Sequence, residues 1–320
     1  MRNKKTKRQY HVRNWSEYNA ALVKRGSLTV WLEEAALSGW IEQGRSGRRG
    51  ASRTYSEAAI QAILLLKAVY HLPLRGAQGL VASVLSLMGL ALPIPHYSTL
   101  SRRQVGLELT MPRLRSGGAL HLVVDSTGCK VYGEGEWKVR THGKSKRRTW
   151  RKLHLGVDEG SGEIVAAVLS SNNVSDSEAL PQLLEQVGEP IAQISGDGGY
   201  DKRPCYELLQ QRQQEEGQPL KVTIPPRRGA RIWNHGNSQT QRLARDENLR
   251  AIRQVGRQRW KQENGYHRRS IAETAMSRYK RMVGEKLRAR EFGRQCTEAF
   301  IGVVMLNRMT ALGRPQSYAV

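Results

Sequence analysis

The sequence predicts a mixed α/β core preceded by a small helical region. Up to about residue 115 the apolar positions recur at helical spacing. Gly117-Gly118 then marks a hinge, which divides a region 1–116 from a region 117–320. Beyond it short β-type runs come first and then alternate with helical segments, the order of a mixed sheet.

In the first region, Ser56 stands before Glu57 and the apolar series Ala59, Ile60, Ile63, Leu64 and Val69. A hydroxyl there caps a helix, which ends near His71-Leu72-Pro73. A second helix follows from Arg75 to Met88, stopped by Gly89, and Ser98 opens a short basic helix carrying Arg102 and Arg103. Helix, turn, helix and a basic helix fit a helix-turn-helix DNA reader. Three helices packed without DNA contact fit equally.

In the second region, His121 to Asp125, Lys152 to Val157 and Ile164 to Leu169 read as strands. Asp158-Glu159-Gly160-Ser161-Gly162 joins the last two as a hairpin turn. A helix from Ser177 to Val187, a strand from Ile191 to Ser195, a helix from Pro204 to Gln214 and a strand from Leu220 to Ile224 follow. Helices from about Trp260 and from about Arg294 to Leu312 close the chain.

Charge narrows the function. The chain carries 52 Lys and Arg against 28 Asp and Glu, a net charge of +24. Such an excess repels itself unless a polyanion is the partner, and nucleic acid comes first. The apolar stretch Leu80 to Leu92 is too short and interrupted to span a membrane. No apolar signal core follows the basic N-terminus, so a cytoplasmic protein is expected. Cys129, Cys205 and Cys296 are far apart, in no metal-ligand spacing.

The cations are clustered. Met1 to Arg13 and Lys138 to Lys152 contain no acid, and the second run includes Arg147 and Arg148. From Leu153 to Asp201 the sign inverts: there is no Lys or Arg, while nine acids occur, Asp197 among them. A metal centre flanked by DNA-binding surfaces has this pattern; so does a solvated acidic face.

Asp125 closes an apolar run, where a carboxylate can face the crevice at the end of a sheet. Alone it reads first as a helix or turn cap. Asp197 lies among Gly196, Gly198 and Gly199, where a metal and a phosphate backbone can approach closely, although a glycine-rich turn would also select Asp. Tyr266, Arg269, Glu273 and Lys280 recur at offsets that fall within roughly 60° on one helix face. The bland alternative is a solvated stripe. Three converging carboxylates repel one another without a cation. With two Mg²⁺ ions, or Mn²⁺ in their place, they clamp a phosphoryl group for in-line transfer. Arg269 and Lys280 would then hold phosphates, Arg269 through its bidentate fork. His154, alternating with apolar neighbours, reads as a buried core histidine. Trp137, Trp150, Trp233 and Trp260 read first as structural and second as stacking surfaces for an unpaired base.

These residues resemble insertion-sequence transposases of the IS5 family, within the DDE superfamily. The likeness rests on Val124 to Gly128, Val131 to Trp137, Arg148 to Leu155, Gly196 to Asp201 and Tyr266 to Met276, with Lys280 completing a Tyr-Arg-Glu-Lys signature. Asn14-Trp15-Ser16-Glu17-Tyr18-Asn19 matches near the N-terminus. The resemblance implies a ribonuclease H-like catalytic core with Asp125, Asp197 and Glu273 as metal ligands. It implies double-stranded DNA as partner, as terminal inverted repeats and as target, and transfer of hydrolytically released 3′ ends. Two ends must be paired, so a homodimer or higher homo-oligomer is expected. The competing readings are a non-catalytic DNA-binding regulator and a simple ribonuclease H-like nuclease.

Overall fold

The structure, a computed structural model, describes residues 10–44, 54–109, 118–131, 150–234 and 242–319. The chain divides into two units. One comprises Met1–Arg103, Leu107–Thr110 and Val304–Val320; the other comprises Gln104–Gly106 and Met111–Val303. Gly117 and the run Lys138 to Arg148 lie outside the described residues.

The first unit begins with a short strand, β1 (Tyr10–Val12), and three short helices, α1 (Trp15–Lys24), α2 (Leu28–Trp31) and α3 (Glu34–Ser38). Trp31 and Trp40 are fully buried, and each indole donates to a backbone carbonyl, of Arg25 and Pro93, at 2.8 Å. The Ser56 hydroxyl accepts from the Ala59 amide at 3.1 Å and starts α4 (Glu57–Val69), whose residues Ala59 to Leu66 are all buried. His71, at φ 52°, and Pro73 turn the chain into α5 (Leu74–Leu87), bent 110° from α4. The next helix, α6 (Tyr97–Arg103), starts one residue before Ser98. Ser98 is therefore no cap; its hydroxyl bonds His96 Nδ1 at 2.8 Å, and Gln78 holds the Tyr97 amide. Among the described residues no single helix is long and apolar enough to cross a membrane.

The second unit opens with β2 (Leu120–Val131), β3 (Trp150–Asp158) and β4 (Ile164–Ser171), antiparallel in that order. The β3–β4 turn is closed by Asp158, whose carboxylate accepts from the Ser161 amide at 2.9 Å. Then α7 (Asp176–Glu185), β5 (Ile191–Ser195), α8 (Arg203–Glu216) and β6 (Lys221–Thr223) follow. Both β5 and β6 run parallel to β2, giving the order β4-β3-β2-β5-β6. A meander extended by a βαβ unit is the ribonuclease H-like mixed sheet. Leu120, Leu122 and Val124 alternate on one face and join a core with Leu180, Leu183 and Leu184 of α7 and Leu209 of α8.

Helices α9 (Ala244–Val255) and α10 (Arg257–Glu263) come next. The sequence predicts one helix from about Trp260; instead Gly265, at φ 63°, breaks it. A 3₁₀ turn (Tyr266–Arg269) leads into α11 (Ser270–Met282), which packs on β2 and β3 through Ala272, Ala275, Met276 and Tyr279. A two-residue strand, β7 (Lys286–Leu287), pairs with β2 at Lys130 and Val131. The division between units falls within the last helix, α12 (Phe292–Leu312), and the final strand, β8 (Ser317–Ala319), pairs antiparallel with β1.

Candidate active site beside the parallel strands

Asp125 does not end its strand. β2 continues to Val131, because β3 pairs with it from Leu122 to Lys130. What ends near Asp125 is the parallel neighbour: the last β2–β5 pair is Val123 with Ser195. Between that pair and the β7 pairing at Lys130, β2 has no strand partner on that side, and Asp125 stands in the gap. Its Oδ1 accepts from the Ser126 amide at 2.8 Å. Burial raises the Asp125 carboxyl above its ordinary pKa, and neighbouring Asp197 and Asp176 add to this against the Ser126 amide and Arg269.

Asp197 lies just past the end of β5, where it caps the 3₁₀ turn Gly198–Tyr200; its Oδ1 accepts from the Gly199 amide at 2.7 Å. Gly196 is required by close approach: a Cβ there would sit 2.8 Å from the Tyr200 ring and 3.2 Å from Val124. A buried strut supports the far end of this loop. Asp201 accepts from Arg245 Nε and from the Arg227 amide, each at 2.8 Å, and Arg245 lies 3.5 Å from the centroid of the Trp233 ring.

Arg269 joins the other two parts of the site. Its NH1 donates to Asp125 Oδ2 at 2.9 Å, and its NH2 donates to Glu273 Oε1 at 2.5 Å. Tyr266 opens the turn that ends at Arg269, with the guanidinium 5.8 Å from its ring centroid. Burial raises the Tyr266 phenol, Arg269 lowers it, and the charges of Asp197, Asp125 and Glu273 each raise it. The charges of three carboxylates, from β2, the loop after β5 and α11, therefore act on one phenol.

In the sequence Asp176 stands out only as one of the acids in its island. The Ser175–Glu178 capping box places it in the first turn of α7, one residue before the expected helix start. Lys152 Nζ lies 2.9 Å and His154 Nδ1 3.3 Å from its Oδ1. Burial acts to raise this carboxyl, but bonds from His154, Ser126 and Lys152 outweigh it and hold the group well below the usual range. His154 is fully buried, with Nε2 on the Ser170 hydroxyl at 2.9 Å.

The remaining candidates are dispersed. Lys280 follows Glu273 by seven residues, roughly 10 Å along the same helix face, and its charge acts on buried Cys129. In α6, Arg102 is exposed, whereas Arg103 donates to the Tyr55 carbonyl at 2.7 Å and lies 4.0 Å from Glu57. Arg147, Arg148 and Trp137 lie outside the described residues. Trp260 is buried, and Trp150 and Trp233 carry the cations Lys130 and Arg245 on their rings. Among the described residues no three carboxylate, imidazole or thiolate groups stand already gathered as a metal site. Asp125 and Glu273 are instead occupied by Arg269.

Two descriptions of the transposase DDE domain match the chain, one over residues 23–134 and one over residues 116–308. The chain is also similar to the cryo-EM structure of a piggyBac transposase synaptic complex with hairpin DNA. The likeness covers 91% of this chain and 76% of that one, at 10% identity and a TM-score of 0.39. The second domain match takes in more than half of the residues, including Asp125, Asp197 and Glu273, and on that ground the chain belongs to the DDE transposase family.

Proposed function

We propose that the chain is an insertion-sequence transposase of the IS5 type. It binds terminal inverted repeats in double-stranded DNA, cuts them hydrolytically and joins the freed 3′ ends to target DNA. The observation that carries this reading is the bridge from Asp125 through Arg269 to Glu273, beside a turn whose phenol feels Asp125, Asp197 and Glu273 together.

Asp125, Asp197 and Glu273 would hold two Mg²⁺ ions, with Mn²⁺ as a substitute. The donors are all oxygens, the set that suits a hard cation, and one protein cation already bridges two of them. When bound, such ions supply Lewis-acid charge and a nucleophile active at neutral pH. The residues of the chain supply position. Releasing Arg269 from the two carboxylates frees a planar fork for a phosphate. Lys280 would meet the backbone further along α11. The helical first unit would read the inverted repeats, since α4 and α5 cross at an angle usual for helix-turn-helix pairs and α6 exposes Arg102. Pairing of two DNA ends calls for a homodimer or larger assembly.

The test uses duplexes carrying the short inverted repeats that flank the gene, with Mg²⁺ and a plasmid target. Cut 3′ ends covalently joined to the plasmid are the expected product. Cutting without joining would leave a nuclease. Specific end binding with no cutting in Mg²⁺ or Mn²⁺ would leave a regulator.

A further inference from the structure

Lys152 and His154 both approach Oδ1 of Asp176. Ser126 also donates to this carboxylate. A Cβ on Gly199 would lie 3.2 Å from Asp176 Oδ2 and 2.8 Å from Asp197 Oδ1, so the two oxygens are at most 6.0 Å apart. Only glycine keeps that gap clear. Two carboxylate oxygens within such reach of each other suit a hard divalent ion, whose oxygen ligands lie at about 2.0–2.6 Å.

A second observation comes from Tyr200. Its side chain is fully buried, its hydroxyl has no hydrogen-bond partner among the described residues, and its ring is locked against Gly196. The charges that act most on it are those of Asp176, Asp125 and Asp197, in that order. An unpaired buried hydroxyl is costly. This one is buried where the charges of Asp176, Asp125 and Asp197 act on it together, and a ligand of the site could bring the oxygen it lacks.

We propose that Asp176 is a fourth carboxylate of the active site, which pairs with Asp197 across Gly199 to hold a divalent cation. The inference rests on the metal-dependent reading above and extends it from three acidic ligands to four. Lys152, His154 and Ser126 then serve as positioning residues that orient the carboxylate toward the ion.

The experiment is Mn²⁺ binding to the full chain without DNA, followed by calorimetry and by loss of the free-ion electron paramagnetic resonance signal. Asp176→Asn is expected to weaken the tightest Mn²⁺ site by at least about 10-fold, as Asp197→Asn does. Wild-type Mn²⁺ affinity and stoichiometry in Asp176→Asn, with Asp197→Asn impaired, would overturn the proposal and leave the three-carboxylate reading standing. A wild-type chain that binds no Mn²⁺ would overturn both. Because Asp176→Asn also removes partners of Lys152 and His154, a measurement on the unaltered protein accompanies it. Fe²⁺ with ascorbate and peroxide should cleave the backbone beside both Asp176 and Asp197. Cleavage beside Asp125, Asp197 or Glu273 but not beside Asp176 would refute the assignment.

Discussion

The guanidinium of Arg269 lies 2.9 Å from the carboxylate of Asp125, an ion pair made across 144 residues of sequence. The second arm of the same fork reaches Glu273. One cation thus offsets the repulsion of two acids that the proposed chemistry needs side by side.

Arg269→Lys should fail almost as badly as Arg269→Gln, because an ammonium cannot span two carboxylates or grip a phosphate in two places. Single-turnover cleavage is expected to slow by roughly 10–100-fold, the scale of a small misplacement of reacting groups. Affinity for the DNA ends should change far less, since a net charge of +24 supplies most nonspecific attraction. Wild-type rates in both variants would reduce Arg269 to an ordinary surface cation.

Asp125→Ala, Asp197→Ala and Glu273→Ala should each lower cleavage by more than the roughly 100-fold typical of losing an outer-shell partner of a metal ligand. Gel-shift affinity for the ends should persist. Robust Mg²⁺-dependent cutting by any one variant removes that residue from the active site.

His121 provides a pH dependence of stability. Burial lowers its pKa to about 4, with Arg268 and Lys221 lowering it further against Asp158, and Nε2 bonds the Ser195 hydroxyl at 2.8 Å. The neighbouring carboxylate, Glu159, is engaged by Arg268 at 2.9 Å. The folded imidazole therefore stays neutral where the unfolded one, near 6.5, takes up a proton. Its contribution is complete above pH 6.5 and is lost as pH falls toward 4. Urea unfolding at about pH 7.5 and about pH 5 should differ by about 2 kcal/mol from this residue. His121→Gln should lose that part of the difference.

Asp201 and Arg245 are 2% and 4% exposed and lie 2.8 Å apart. Asp201→Asn should cost about 3 kcal/mol, because it leaves a buried guanidinium short of its charge partner. Thermal unfolding reads this directly. Asp201 also ends the loop that carries Asp197, so cleavage at low temperature should fall as well. Wild-type stability would show that Asp246, also beside Arg245, suffices.

Removing residues 1–8 deletes Arg2, Lys4, Lys5, Lys7 and Arg8. If these neutralise phosphates, the plot of log affinity against log salt should become shallower, by about 0.9 for each phosphate left without its cation. An unchanged slope would place the arm off the DNA.

Local signals in the sequence are strong where one side chain decides an element. Ser56 caps α4 as its spacing implies, and Asp158 closes the β3–β4 turn. Asp125 is visible as an acid after an apolar run, but Ser126-Thr127-Gly128 looks like a strand end. Hydrogen bonds from β3, remote in sequence, carry β2 through those polar residues. The signature spacing of Tyr266, Arg269 and Glu273 is legible, while the break at Gly265 is not, because a 3₁₀ turn keeps neighbouring side chains on nearly the same face. Asp176 is hidden for a similar reason. Its surroundings come from Lys152 and His154 on β3, and no local pattern records that meeting.

The small strand β7 limits how this site can move. The Lys130 amide of β2 donates to the Glu285 carbonyl at 2.8 Å just beyond the end of α11, and the Lys130 ammonium meets the Glu285 carboxylate at 3.3 Å. At the other end of α11, Arg269 latches onto Asp125. Strand and helix are thus joined like the two arms of a clasp, riveted at one end and hooked at the other. A swing of the whole helix would tear the rivet, whereas unhooking requires only a turn of side chains. Opening should therefore run at the pace of rotamer exchange, nanoseconds rather than the microseconds to milliseconds of helix displacement.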